Sequence, residues 1–375
     1  MATRHRTDRG GDIIVNIDMK QILMNNQTEG RRLDQLLSRM LALAPSGFIH
    51  RMLRKKNITL NDRKADGSER LVAGDLVKIY LSDETFLKFS KPQEEEQREL
   101  AEKTEGYLTA YRHVQGDAGD PVGIVYEDEA LLVLNKPVGV LSQKATELDL
   151  SLNEWALGYL LQTDALTAGS LLGFKPSVAN RLDRNTSGLV IVVKTLVAAR
   201  EVALLQQSGR LIKTYHAVVC GRVAEADSIL STSEKQVERR GTRQIIRTKV
   251  KKCSPEANGA GGEKVALSYK PIAVNETENL SLVAVRLYEG KIHQIRAQMA
   301  HIGYPLLGDY KYGDRVRNDE YKARFGLQSQ LLHARSLIFP DMKESFRSLA
   351  RMSGLSLMAT YPGLFAEIAT EIFKR

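Results

Sequence analysis

The chain has 375 residues, 43% of them hydrophobic, with 54 Lys and Arg against 45 Asp and Glu for a net charge of +9 and a pI near 9.3. That is enough chain and apolar content for two or three domains with real cores, which excludes wholesale disorder, and the basic balance suits a partner with a phosphate backbone. No apolar run approaches the roughly 18 residues a membrane span needs, the longest clean stretch near the middle being LVIVV at 189–193, so a membrane protein is excluded.

The first twelve residues, MATRHRTDRGGD, are polar, show no period and lack the apolar stretch of a secretory signal; a disordered tail and a cytoplasmic protein are expected. A short strand is expected at 13–17. From Arg31, Leu33, Leu36, Leu37, Met40 and Leu41 fall at helical spacing, and Pro45 and Gly47 break the pattern before a second helix carrying Phe48, Ile49, Met52 and Leu53. Strands are expected at 58–62 (ITLND) and 71–81 (LVAGDLVKIYL), around a turn at Asp66 and Gly67. Residues 31–64 hold nine basic side chains against two acidic ones, whereas 91–105 hold six glutamates against three basic residues. A basic module over 13–90 and an acidic linker over 91–119, with Glu and Lys content suited to a helix, follow from the counting.

The larger unit is placed at 120–375. Strand-like runs alternate with turns over 124–142; helices at 150–162 and 197–207 and strands at 189–193 and 214–219 suggest a mixed sheet with helices packed on it, an α+β arrangement. The stretch 233–263, basic and then glycine-rich, reads as an insertion loop or a long hairpin. Its GAGG at 259–262 has no strand-to-helix switch around it and is no nucleotide fingerprint. The two cysteines, Cys220 and Cys253, cannot make a disulfide framework, and neither they nor the seven histidines show metal-ligand spacing, so no cofactor or metal is expected.

Three segments remain as candidates for chemistry. In NRLDRNTSGLVIVV (180–193), Asp183 lies between Arg181 and Arg184 on a loop at the edge of a buried-looking strand. Flanking cations keep such a carboxylate ionised, and bonds from the Thr186-Ser187-Gly188 turn can fix its rotamer, as a nucleophile needs; an ordinary ion-paired turn is the plainer alternative. In LYEGKIHQIRAQMAHIGYPLLGDYKYG (287–313), Ile292, Ile295 and Met299 fit one helical face with Lys291, His293 and Arg296 elsewhere, and Gly303, Pro305 and Gly308 turn the chain toward Asp309 and Tyr310. A basic surface helix with a core stripe is the alternative there. In KTYHAVVCG (213–221), Tyr215 alternates with Ala217 and Val219 on one strand face.

Taken in order, NKPVGVLS, RLDRNTSG, KTYHAVVCG, GKIHQIRAQMAHIGYPLLGDYKYG and LLHARSLIF, spanning 120–342, closely resemble the RluA family of RNA pseudouridine synthases. Residues 30–84 resemble the small S4-type (alpha-L) RNA-binding domain that many such enzymes carry in front of a catalytic domain built on a mixed, mainly antiparallel sheet with flanking helices. The resemblance implies an isomerase that turns uridine into pseudouridine without a cofactor, as a monomer, usually in large-subunit ribosomal RNA but in some relatives in tRNA. It places the catalytic aspartate at Asp183, the tyrosine against the target base at Tyr215, and the arginine that pairs with the aspartate at Arg296. Asn180, Lys291 and Gln298 depart from the family's usual His, Arg and His. For RNA contact the expected residues are Arg31, Arg32, Arg51, Arg54, Lys55 and Lys56 on one exposed face of the basic module, with Arg181, Arg184, Lys291 and His293 around the site. A non-catalytic RNA-binding or ribosome-assembly protein is the second reading. A base-removing hydrolase is a third, which wants two facing carboxylates, and the motifs offer Asp183 no second acid.

Overall fold

The computed structural model describes residues 13–16, 19–24, 30–117, 119–172, 174–224, 236–240, 243–250, 263–288, 290–342 and 346–374. The tail at 1–12, Cys253 and the GAGG run lie outside these residues. The chain divides into two compact units: Met1–His113 with Asn153–Ser177 and Val193–Arg200, and Val114–Leu152 with Val178–Val192 and Glu201–Arg375.

The first unit begins with strands β1 (Ile13–Asn16) and β2 (Met19–Leu23), then helices α1 (Leu33–Met40) and α2 (Ser46–Arg54). Leu33, Leu36, Leu37 and Leu41 from the first helix and Phe48, Ile49, Met52 and Leu53 from the second are all buried in one core, as their spacing requires. Strands β3 (Ile58–Leu60), β4 (Arg63–Lys64) and β5 (Leu76–Ile79) complete a five-stranded sheet in the order β1-β2-β5-β3-β4. The expected strand 58–62 stops at Leu60 because Asn61 and Asp62 both take positive φ, 50° and 61°, forming a two-residue hairpin turn that pairs Leu60 with Arg63. The expected 71–81 strand is likewise shorter. Gly74, at φ 92°, turns the chain, and the Asp75 carboxylate holds that turn by accepting from the Val72 N–H and from Asn61 Nδ2.

Helix α3 (Asp83–Phe89) follows, capped by Ser82, and the acidic 91–119 segment contains a 21-residue helix, α4 (Gln93–His113), about 31 Å long at 1.5 Å per residue. Its last turns pack on helix α5 (Leu152–Gln162): Tyr111 meets Trp155 and Tyr159, and a Cβ on Gly158 would stand 2.1 Å from the Tyr107 carbonyl oxygen. Gly158 is therefore required for the two helices to approach.

The second unit is built on an eleven-stranded sheet. Its strands are β6 (Gly123–Glu127), β7 (Leu131–Lys136), β8 (Ser177–Val178), β9 (Ser187–Val193), β10 (Ile212–Cys220), β11 (Gln236–Arg240), β12 (Arg243–Val250), β13 (Glu263–Asn275), β14 (Leu280–Leu287), β15 (Leu332–Ile338) and β16 (Ser356–Met358). The path runs β11-β12-β13-β14-β10-β15-β9-β7-β6, with β16 on β15 and β8 on β9. Pairing is antiparallel along β11 to β15, and β9 joins β15 in parallel, which makes the sheet mixed. Within the 233–263 stretch, the described strands β11 and β12 pair antiparallel, and β12 pairs antiparallel with the start of β13, at one end of that path. Helices α6 (Leu196–Gln207), α7 (Gln294–His301), α8 (Arg315–Phe325) and α9 (Gly363–Phe373) complete the chain.

Side chains alternate across a sheet, so β10 presents Tyr215 and Ala217 on one face and Thr214, His216 and Val218 on the other. The second face is covered toward one end, where Val218, Leu280 and Leu282 are buried with Tyr321 of α8 and Phe365, Ile368 and Ile372 of α9. On the first face the register of β10 against β15 shifts at Tyr215: Thr214 pairs with Ser336 but Tyr215 with Ala334, leaving Arg335 as the extra residue of a bulge.

Candidate active site

Asp183 sits on the 180–186 loop entering β9, and the loop is pinned from several sides. The Ser142 hydroxyl donates to the Leu182 carbonyl (2.9 Å) and accepts from the Leu182 N–H (3.0 Å). Asn180 spans the base of the loop, Nδ2 donating to the Leu189 carbonyl and Oδ1 accepting from the Ile191 N–H. Behind the loop, the fully buried Lys136 donates to the carbonyls of Pro137 (2.9 Å), Val140 (2.7 Å) and Arg184 (3.0 Å). Burial pushes its pKa down to about 7 against the attraction of Asp183 and Asp117, yet three acceptors for three N–H bonds fit an ammonium. Gly188 closes the loop at φ 112°, where a Cβ would lie 2.3 Å from the Ala334 carbonyl oxygen, so only glycine lets β9 meet β15 there.

The turn residues do less for the carboxylate than their chemistry suggested. The Thr186 N–H donates to the backbone carbonyl of Asp183, while the Thr186 hydroxyl accepts from Gln330 and the Ser187 hydroxyl bonds His333 Nδ1 at 2.9 Å. Both hydroxyls are buried in the sheet and committed there. Nor are the sequence neighbours Arg181 and Arg184 the partners of Asp183: both are exposed, and Arg184 Nε is bound to the Gly139 carbonyl. The groups that meet the carboxylate come from α7 and its N-cap, and of the two only Arg296 is a fixed cation. Arg296 Nη1 is 3.5 Å and His293 Nε2 is 3.8 Å from Asp183 Oδ2.

Arg296 is itself held by a residue expected only at the end of a turn. Asp309, fully buried, accepts from Arg296 Nε at 2.7 Å and Nη2 at 2.9 Å, and its Oδ1 also takes the N–H groups of Lys311 and Tyr312. Burial alone would weaken both charges. The Asp309 bonds and charge, with Asp183 beyond, hold the Arg296 pKa above its ordinary value, and Arg296 with those backbone donors holds Asp309 below its own. The third group, Tyr215, is buried, and burial followed by the nearby Asp183 charge raises its phenol pKa well above normal.

His293 reaches the site through an unusual backbone. It caps α7 in the left-handed region (φ 55°, ψ 21°), with its Nδ1 3.2 Å from the Tyr312 hydroxyl and its ring edge-on to Tyr312. An L-residue there cannot continue a helix, so α7 starts at Gln294. Ile292, expected on the helix's apolar face, instead lies outside it and is 70% exposed, while Ile295 and Met299 are buried as expected. Burial first, then Arg296 and Lys311, lowers the His293 pKa despite Asp183.

Arg296 and His293 thus meet Asp183, whose charge also reaches Tyr215, and Lys291 is exposed one turn before α7. In the first unit the residues expected on one basic face are not all alike. Arg51, Arg54, Lys55 and Lys56 are exposed, but Arg31 is half-buried, its pKa lowered by burial and then by Arg39, and Arg32 is turned onto Asp34 at 2.7 Å. Asp309 also answers the question of a second acid. A second carboxylate is present, but it lies behind Arg296 with no exposure and cannot face Asp183 across a substrate.

Residues 130–301 match the family model described as RNA pseudouridylate synthase. Ribosomal large subunit pseudouridine synthase C of Rickettsia conorii is 30% identical over 292 residues, 76% of this chain and 82% of that protein. tRNA pseudouridine synthase C of Yersinia pestis is 31% identical over 216 residues, 57% of this chain and 79% of that protein. Among solved structures, human RNA Pseudouridylate Synthase Domain Containing 4 superposes with a TM-score of 0.48 at 18% identity, covering 72% of this chain and 97% of that one. On the family model and the R. conorii match together, the chain belongs to the RNA pseudouridylate synthase family.

Proposed function

We propose that this synthase acts on large-subunit ribosomal RNA, with Asp183 as the group that works on the ribose, Arg296 as its cationic partner and Tyr215 as the ring that holds the base. The reaction is an isomerisation. The N1–C1′ bond of uridine breaks, the uracil turns, a C5–C1′ bond forms, and the proton lost from C5 is balanced by one gained at N1. Such a site needs one carboxylate, a cation to keep it in place, and an aromatic support in a setting that keeps water from capturing the detached base. The observation that carries the assignment is the chain Asp183–Arg296–Asp309, in which a buried, doubly bonded guanidinium keeps one N–H edge 3.5 Å from the one partly exposed carboxylate. The large-subunit substrate rests on the R. conorii relative.

The α1–α2 module with its five-stranded sheet is proposed as an S4-type RNA-binding domain. The exposed quartet Arg51, Arg54, Lys55 and Lys56 supports it, and Arg181, Arg184 and Lys291 are proposed as further phosphate contacts near the site. A monomer and a cytoplasmic location are proposed along with that substrate. In the test, Asp183→Asn is assayed in single turnover on a large-subunit rRNA transcript with RNA affinity measured in parallel. A rate loss on the order of 10⁴-fold with affinity kept is expected; turnover above a trace would remove Asp183 from the chemistry.

A further inference from the structure

Among the described residues, α8 and α9 cover the face of the large sheet turned away from Tyr215 only toward one end. Past that cover the strands form a groove of about 140 Å³, with Ile212 and Ile338 as apolar walls and Thr214, Ser268, Lys270 and Arg286 as polar lining. Cross-strand pairing puts these side chains on one face, since Arg286 of β14 lies opposite both Thr214 of β10 and Ser268 of β13, and Lys270 lies opposite Ala284. At roughly 30 Å³ per water the groove has room for an oxyanion and part of its hydration.

A polar outer face is ordinary for an antiparallel sheet, but two features here are not. Ser268 is 1% exposed and its hydroxyl makes no hydrogen bond, which costs about 1–3 kcal/mol if left so. The cations beside it are also uncompensated: among the described residues no carboxylate pairs with Arg286 or Lys270, and Arg286 lies over the Tyr288 ring at 5.1 Å. The positive field reaches the next residue of this face on β10. Burial, then Arg335 and Lys270, pushes the His216 pKa down to about 4.

We infer that this groove binds a phosphodiester of the RNA at a place separate from the Asp183 site, so that the RNA is held on both faces of the sheet. The inference rests on RNA being the substrate. A guanidinium fork, an ammonium and a buried hydroxyl are the donor set a phosphate takes, and the apolar walls strengthen each contact by excluding water. Thr214 is the immediate neighbour of Tyr215, so a phosphate seated there is coupled to the catalytic face through a single strand.

The test uses the full chain with Arg286→Gln and Lys270→Gln combined, and separately Ser268→Ala, with urea midpoints as the folding control. Filter binding of a large-subunit rRNA transcript across a salt series is expected to show the slope of log affinity against log salt reduced by about 0.7–0.9 per lost phosphate contact in the double variant. Ser268→Ala removes no charge, so it should weaken affinity about three- to tenfold with the slope kept. Single-turnover modification of a short stem-loop should be unchanged in both, and the transcript should protect Lys270 of the wild type from acetylation. An unchanged slope overturns the inference, as does a stem-loop rate that falls in step with affinity. Protection of Lys270 by poly-glutamate and not by the transcript overturns it in favour of an acidic protein partner. A wild type that modifies no uridine in the transcript refutes the proposed substrate, while Lys270 protection by the same RNA still reports on the groove.

Discussion

Replacing Asp309 with Asn tests whether Asp183, the proposed catalytic carboxylate, is governed by a residue it does not touch. Asp309 Oδ1 serves Arg296 Nη2 and the N–H groups of Lys311 and Tyr312, while Oδ2 serves only Arg296 Nε. An asparagine that keeps its oxygen on the three-donor side must set its amide NH₂ against the Nε–H, so a bond between opposite charges becomes a donor facing a donor in a fully buried place. Losing a charge-assisted bond there costs roughly 2–4 kcal/mol of stability. Arg296 then turns from its lost partner toward Asp183, which is 3.5 Å away. If half to all of a 1.5–3 kcal/mol bond is missing from the transition state, the rate falls about 4- to 150-fold. Urea unfolding and single-turnover pseudouridine formation measure the two effects. Arg296→Met in the same background should cost much less than it does alone, since both changes break one unit. A variant with wild-type stability and rate, or strictly additive losses, would refute the claim that Asp309 sets the position of Arg296.

Changing Arg51, Arg54, Lys55 and Lys56 together to Gln should weaken binding to structured RNA and flatten its salt dependence by about 0.7–0.9 per lost phosphate contact, while the rate at saturating enzyme on a short substrate stays the same; an unchanged slope in filter binding would remove the first unit as the RNA anchor. A separate expectation concerns acid. His333, fully buried, and His216 have pKa values pushed down to about 4, mainly by burial, against an ordinary 6.5. The unfolded chain binds those protons first as pH falls, so stability is complete above about pH 6.5 and is lost toward about pH 4, by up to about 3 kcal/mol for each histidine. Carboxylates held below their ordinary range, such as Asp309 and Glu278, add their own loss only as pH nears their ordinary values of 3.8 and 4.5 and below, so urea midpoints taken between pH 7 and 5.5 should fall in the wild type and much less in a His216→Gln, His333→Gln variant. A wild-type midpoint that does not move would show the two rings are not buried neutral.

What was legible in the sequence was what depends on short range. The two-helix module follows from leucine spacing, and the placement of Asp183, Tyr215 and Arg296 from motifs whose order survives any packing. The missed parts depend on burial. Lys136 ends the run LLVLNK, and nothing in that run shows that carbonyls from residues 137, 140 and 184 converge on its ammonium. Asp309 looked like the end of a turn because its charge is explained only when α7 lies across it. The neighbours Arg181 and Arg184 looked like the partners of Asp183 because they are near in sequence, but a loop pinned through Leu182 and the Arg184 carbonyl turns adjacent side chains in different directions, and the partner comes from 113 residues further on. This division of labour suits the chemistry. A guanidinium shared between two carboxylates has one fixed side and one working side: the Asp309 side is buried, bidentate and backbone-braced, and the Asp183 side is longer and open to a nucleotide. On the role proposed for Asp183, holding Arg296 from behind lets that carboxylate change its bonding without the cation moving, and that requires the brace to be a residue no substrate can reach.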